Sequence, residues 1–592
     1  MADLSRDGGD WFVMLPDCAA ATAAAQLFLA PHRQVVRHPS GRPWLVGAWP
    51  ADRLAVIDRD GVRTALFGQL PERPAVEPPD RLPGSFHVAT ASGERLRVRG
   101  TASGLRRVYY ARVRGVVVAS DQARVLAAAI GAAPDPATVA AQLFAPNLPH
   151  PLSLDSLWLG VSALPPDHLL VVDGAGPART ERWWSPPAPA GSLAEGAALL
   201  RDRLRAAVGV RVRAGQRISA DLSGGVDSTT LCLLAAEQGA ELVTVRVAPV
   251  DPASDDPVWA QRAADRLPGE HLVVDPTAAW AAVDWSELAT PAEEPVGGLL
   301  TQTVLGHLAG LVSDRGSRLH LAGYGGDEVT GVSRVYLRDL LWRRPVTVLR
   351  HLSGHRALRR WSIATAVRAL SDRRSYRRWL ADTAAQLRDP PLPDGAPQFG
   401  WGGAARLPAW ATTAAVELVR DRLMRAALAG EPVADSRAQH RAVAAVWTTA
   451  QAARQLGQIM PGVELAVPYL DDQVVAAALA VDLAERGTPY RYKPLLAAAA
   501  RPVVGDLPER TTKAKFTADG LAGVRQHRAQ LLELCDELRL ARLGLVNAAA
   551  LRAALVGLDP TGRVLMAAEQ TVSAELWLRA ATETEERRVA AA

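Results

Sequence analysis

Through the first 182 residues, apolar and polar positions alternate in short runs. LAVIDRDGV, GSFHVATA, RLRVRG, VYYARV, GVVVAS and HLLVVD are separated by turn-forming residues. A period of two puts apolar side chains on one face of a strand, so the region predicts an antiparallel sheet domain. The Pro-rich segment Trp184-Ser-Pro-Pro-Ala-Pro-Ala-Gly191 reads as a linker. Beyond residue 192 the pattern changes. LAEGAALLRDRLRAAVGVRV predicts a helix, Arg217 to Leu222 a short strand, and Thr229 to Gln238 a helix with Leu231, Leu234 and Ala235 on one face and Gly239 at its end. Strand-like runs recur at 242–247, 271–275 and 318–323 with helical stretches between them. That alternation predicts an α/β fold, a parallel sheet with helices on both faces, whose ligands bind outside the carboxyl ends of the strands. Residues 334–460 read as mostly helical and Arg-rich. A Pro/Gly break at 389–408 is either a loop over the site or a mobile segment. The chain finishes in helix and a polar tail, TETEERRVAAA, expected to fray.

Residues 222–228 read Leu-Ser-Gly-Gly-Val-Asp-Ser, between a predicted strand and a predicted helix. Two glycines let the backbone curl and expose its N–H groups, and a helix N-terminus adds partial positive charge, so Gly224 and Gly225 mark an anion site. Ser223 and Ser228 offer hydroxyls to phosphate oxygens. Asp227 would repel a bare phosphate, which points to Mg²⁺ between carboxylate and phosphate. No G-x-x-x-x-G-K string occurs, so the loop is not of the Walker type. The string resembles the pyrophosphate loop of ATP pyrophosphatases, which adenylate an oxygen with ATP. A second Gly-rich turn, Gly323-Tyr-Gly-Gly-Asp-Glu328, also follows a predicted strand. Asp327 there either joins Asp227 on the metal or, with Glu328, caps the next helix.

Composition narrows the class. The chain has 592 residues, 48% hydrophobic and 22% charged, long enough for two or more cores. It has no apolar run of membrane length and no signal-like N-terminus, so no membrane partner is expected. Cys18, Cys232 and Cys535 are scattered, which suggests neither zinc nor disulfides and fits a reducing cytoplasm. A net charge of +5 is not gathered into a nucleic-acid-binding block. Of 67 basic residues only Lys493, Lys513 and Lys515 are lysine. In so Arg-biased a chain, a surviving lysine is a candidate for a site that a compact ammonium fits better than a planar guanidinium.

LSGGVDS, VTVRV, ASDDPVWAQRAADRL, LAGYGGDE, AVPYLDD and TTKAKFTADG occur in the order and spacing of the asparagine synthetase family, which the chain resembles over nearly its whole length. The resemblance implies a glutaminase-like domain over 1–185, an Ntn-type sandwich, and an ATP-pyrophosphatase-type synthetase domain over 192–592 with its helical insertion at about 334–460. It implies that Leu222, Val247 and Gly323 contact the adenosine part of ATP, that Ala322 also lines the ATP site, and that Lys513 is the catalytic lysine. Two departures stand out. The glutaminase nucleophile is an N-terminal cysteine, whereas this chain begins Met1-Ala2-Asp3 and carries Cys18 elsewhere, so loss of glutamine hydrolysis is expected. Tyr324 stands where the family has glutamate. A tyrosine there resembles β-lactam synthetase, where it helps deprotonate an attacking amine; packing is its alternative role.

A more particular resemblance is to lasso peptide macrolactam synthetases. It rests on PYLDDQVVAAALAV followed by YRYKPLLAAAA, on ERTTKAKFTAD, on the helical insertion and on the ending LGLVNAAALRAAL…AELWLRA. It implies ATP- and Mg²⁺-dependent adenylation of an Asp or Glu side chain in a linear core peptide. The peptide's N-terminal amine then closes an isopeptide-bonded ring, with a leader peptidase and a leader-binding protein as partners. The competing expectations are a small-molecule amide or β-lactam synthetase, an ammonia-dependent asparagine synthetase-like enzyme, a tRNA-modifying ATP pyrophosphatase and a catalytically dead scaffold.

Overall fold

A computed structural model describes residues 10–72, 74, 77–145, 148–281, 292–390, 392–393, 395–505, 517–557 and 563–590. The N-terminal region contributes twelve strands: β1 (Trp11–Met14), β2 (Gln34–Arg37), β3 (Pro43–Ala48), β4 (Leu54–Arg59), β5 (Val62–Gln69), β6 (Ser85–Ser92), β7 (Arg95–Arg99), β8 (Tyr109–Val113), β9 (Val116–Ser120), β10 (Val161–Ala163), β11 (His168–Asp173) and β12 (Arg179–Arg182). They form two six-stranded antiparallel sheets, ordered β10-β8-β9-β1-β3-β2 and β12-β11-β7-β6-β5-β4. Phe12 and Met14 of β1 point between the sheets toward Phe67, Leu96 and Leu170. Trp11 and Val13 point the other way, under the helices Ala19–Ala25 and Ala123–Ile130. Because β1 is covered on both faces, its four residues are all apolar and show no alternation, which is why the periodicity reading passed over it.

The C-terminal region builds a five-stranded sheet from β13 (Arg217–Asp221), β14 (Glu241–Val247), β15 (Glu270–Val274), β16 (Leu319–Leu321) and β17 (Glu464–Ala466), in the order β15-β14-β13-β16-β17 with every pair parallel. One face carries the helices Leu193–Gly209, Val226–Glu237 and Pro494–Val504 on a core that includes Leu204, Leu231 and Leu496. The other face carries Leu299–Ser313 and the C-terminal helices around Leu308 and Trp577. β17 is only three residues long and returns to the sheet after more than a hundred residues of helix, too short for a pattern-based reading.

Four expectations change. The Pro-rich linker is docked: Gly191 N–H donates to the Ala480 carbonyl at 2.9 Å, and Gln439 Nε2 to the Pro187 carbonyl at 2.7 Å. The 389–408 segment is packed onto the helical region, with Phe399 buried beside Trp361 and Arg441 Nη1 donating to the Gln398 carbonyl at 2.9 Å. The polar C-terminal tail continues the helix Arg563–Ala590 instead of fraying. The helix Arg437–Gln458, read as the end of the insertion, belongs to the core of the sheet domain, and Trp447 Nε1 donates to the Ala102 carbonyl of the sandwich at 2.8 Å. Among the described residues, no helix is long and apolar enough to cross a membrane.

Candidate active site

β13 and β16 lie side by side, and strand order reverses between them: from β13 the chain runs outward to β14 and β15, then returns to β16. Loops leaving such a switch point diverge and open a crevice at the carboxyl ends of the strands. Both Gly-rich motifs are there. Gly224 has φ +77°, and a Cβ on it would lie 2.5 Å from the Ala260 nitrogen, so only glycine fits. The helix begins at Val226, three residues earlier than periodicity indicated, because Asp227 and Ser228 belong to its first turn as polar residues that lack the apolar period. Ser223 and Ser228 are linked through their hydroxyls at 3.1 Å, and Ser223 N–H donates to Ser228 Oγ at 3.3 Å. The hydroxyls and the helix N-terminus therefore surround one small volume suited to an anion.

The second loop is pressed against the first. A Cβ at Gly323 would stand 3.3 Å from Asp227 Cβ, and one at Gly326 would stand 2.2 Å from Asp227 Oδ1. Glycine at 326 is thus what admits the Asp227 carboxylate. Asp327 and Glu328 lie in the first turn of the short helix Gly326–Thr330, whose N-cap is Gly325 with no side-chain cap, so Asp327 faces the site and does not cap the helix. Tyr469, from the AVPYLDD stretch, underlies the pair with its hydroxyl donating to the Asp227 carbonyl at 3.1 Å.

Lys493, whose role the sequence left open, joins the two loops. Its ammonium contacts Asp327 Oδ1 at 2.6 Å and donates to Asp227 Oδ2. Its side chain is only 7% exposed. Burial works against the charge, but Asp227 and Asp327 outweigh it and hold the Lys493 pKa above that of a free lysine. The residue sits in the left-handed region at φ +40°, which costs a non-glycine residue about 1–2 kcal/mol and persists only where the surroundings over-determine it. Here the N-cap of the helix Pro494–Val504 and the two carboxylates do so.

The other expected residues are distributed as follows. Leu222 and Ala322 are buried at the ends of β13 and β16, whereas Val247 is exposed at the end of β14, beside the crevice. Tyr324 packs between the two cores of the sheet domain. Burial first, and the charge of Asp221 second, push its hydroxyl pKa upward, so it stays protonated and can donate a hydrogen bond but is a poor base. Lys513 and Lys515 lie outside the described residues. The sequence reading missed Asp221 and His320: His320, 1% exposed, pairs with Asp221 Oδ1 at 3.1 Å and with Ser219 Oγ at 2.9 Å. The available signal was a carboxylate at the end of the predicted strand, directly before the Gly-rich loop.

The donor set suits a hard divalent cation. Two aspartate carboxylates converge closely enough to share one ammonium, and among the described residues no set of three or more His, Cys, Asp or Glu side chains forms a closed metal cage. Mg²⁺ is commonly held in this way, by one or two carboxylates with phosphate oxygens and water completing its shell. Asp227 and Asp327 would hold it.

No curated protein matches the chain. The model of the family described as asparagine synthase matches residues 199–579, from the first helix of the sheet domain into the C-terminal helix. With both Gly-rich loops, the paired aspartates and Lys493 inside a match over most of its length, the chain belongs to the asparagine synthase family, ATP-dependent ligases that form amide bonds.

Proposed function

We propose that this protein is a lasso peptide cyclase, an AMP-forming macrolactam synthetase that joins an Asp or Glu side chain of a linear core peptide to the peptide's own N-terminal amine. The observation that carries the ligase chemistry is the convergence of Asp227, Asp327 and Lys493 at the mouth of the Gly-rich loop. The peptide substrate is favoured by the motifs shared with the macrolactam synthetases and by the helices between residues 334 and 430, a larger surface than a small molecule requires.

In this reading ATP lies along the ends of β13, β14 and β16, its adenosine against Leu222, Val247, Ala322 and Gly323. Its pyrophosphate lies against Ser223, Gly224, Gly225 and Ser228. Mg²⁺ supplies charge neutralisation to the phosphates. The peptide carboxylate attacks the α-phosphorus and pyrophosphate leaves. The amine nitrogen attacks the acyl carbon, the C–O bond to AMP breaks, and the ring closes with net loss of one water from the peptide. Lys513 stabilises the charge that develops on the acyl and phosphate oxygens. Lys493 keeps both aspartates oriented. Tyr324 donates a hydrogen bond to the reacting centre, and Asp221, the carboxylate whose charge acts on it, accepts the amine proton.

Mass spectrometry of a linear core peptide with ATP, Mg²⁺ and the protein tests this. The expected product has lost one water, accompanies AMP and pyrophosphate, and resists proteases; Lys513→Ala and Lys493→Met each lower its rate by roughly a hundredfold or more. AMP released without water loss would favour the small-molecule synthetase instead, with a separate amine as nucleophile. Neither product, across peptides and with leader-processing partners added, would overturn the ligase assignment.

A further inference from the structure

The helix Pro345–Arg359 is apolar on two opposite faces. Its inner face buries Val348, His351, Leu352 and His355. Its outer face presents Val346 and Leu349, 78% and 67% exposed, and Trp342 in the preceding turn is 74% exposed. Val346 and Leu349 are one turn apart on the helix, and Trp342 lies in the turn just before it. A surface helix normally turns polar residues outward, so an apolar outer stripe marks a binding face. Its charge is one-sided as well. Between Asp339 and Asp372 the chain has seven arginines and no acidic residue. Arg343 and Arg350 flank the stripe and are exposed.

This helix is tied directly to the segment that carries Lys493. The Tyr490 hydroxyl donates to the Arg350 carbonyl at 2.7 Å, and its ring lies 5.8 Å from that of His351. Gly354 lets Pro489 pack closely: a Cβ there would meet Pro489 Cγ at 2.7 Å. Tyr490 and Tyr492 are exposed, and the Tyr492 ring is 5.7 Å from the Lys493 ammonium. The exposed apolar and cationic face of this helix, together with Tyr490 and Tyr492, therefore forms a track tied to the segment that ends at Lys493 on the paired aspartates.

We infer that the track is an exosite for an acidic, apolar-bearing stretch of the polypeptide the enzyme acts on, outside the residues that react. The inference rests on the peptide-substrate reading above. Charge complementarity selects an acidic ligand, and the connection to residues 489–493 selects one whose other end reaches the active site. An anionic bilayer would engage Trp342 and the arginines but has no use for that connection.

The test is fluorescence anisotropy of the full chain with two labelled, designed amphipathic peptides, one with leucine opposite glutamate and one with leucine opposite lysine. The glutamate peptide should bind saturably and weaken with salt, and the lysine peptide should not bind. Val346→Glu combined with Leu349→Glu, and separately Arg343→Glu combined with Arg350→Glu, should each weaken binding about tenfold while ATP binding stays unchanged. Equal binding of both peptides, or variants indistinguishable from wild type, would overturn the exosite. So would phosphatidylglycerol vesicles that sediment the protein through these residues while neither peptide binds. Because the readout is binding without turnover, exosite binding with no carboxylate ever activated would sink the cyclase reading alone.

Discussion

At the scale of single residues, the site depends on atoms that are missing. Gly326 has no Cβ, and the Asp227 carboxylate occupies the space one would fill. Gly326→Ala should therefore displace Asp227 by a fraction of an ångström to an ångström and lower the rate of adenylation about a hundredfold, while the melting temperature changes little. Gly310→Ala is the control, because nothing lies within 4 Å of the added atom. Hydroxamate formation with hydroxylamine, which traps the acyl-adenylate, measures the difference; equal rates in the two variants would refute the account. The Gly-rich strings were legible because their chemistry is local: a tight turn needs glycine whatever surrounds it. The pairing of Gly326 with Asp227 was not, since it spans ninety-nine positions and depends on β13 and β16 being neighbours.

At the scale of elements, the sandwich and the parallel sheet meet through buried charge. Arg211, at the end of the first sheet-domain helix, places both terminal nitrogens on Asp471 at 2.8 and 2.5 Å and its Nε on Gln69 of β5 at 2.6 Å. Both side chains of the ion pair are 1% exposed. Gly84 N–H donates to the same Asp471, and Ser103 N–H donates to Asp472. The AVPYLDD stretch thus spends its acidic pair on docking the sandwich, while its tyrosine supports the site. Arg211→Ala should cost about 3–5 kcal/mol, because it strands a buried carboxylate, whereas Arg211→Met combined with Asp471→Leu should cost much less. Urea denaturation of the two variants separates these outcomes, and a small loss in Arg211→Ala would show that the interface tolerates an unpaired charge. In the sequence Asp471 and Asp472 are only the end of the AVPYLDD motif; that they cross to the sandwich follows from packing.

At the scale of the whole molecule, several buried carboxyls titrate high. Burial pushes Asp121 up to about 8, Glu293 to about 7 and Asp472 to about 6, although each accepts backbone N–H bonds. A group whose folded pKa is raised stabilises the fold fully below its unfolded pKa, near 4, and that contribution is lost as pH rises through the folded value. Thermal stability should therefore decline from about pH 4 to about pH 8 and level off above that. Asp121→Asn, which keeps an acceptor for the Phe12 N–H at 2.9 Å without the charge, should flatten the decline. Melting curves across that range test it; parallel profiles for wild type and variant would show that the fold does not raise the Asp121 pKa.

What the sequence determined by itself was whatever local physics decides. The runs of period two made the antiparallel sheets, the alternation of strand and helix made the parallel sheet, and the two Gly-rich turns fell at the ends of its strands. The tertiary structure decided what depends on distant segments coming together. It set the strand order that brings Asp227 and Asp327 onto one lysine and docked the linker and the 389–408 segment. It also left one face of the helix Pro345–Arg359 uncovered. A hydrophobic period records that a residue is buried or exposed on its own element; it carries no record of which partner lies across the gap, and the site is made of such partners.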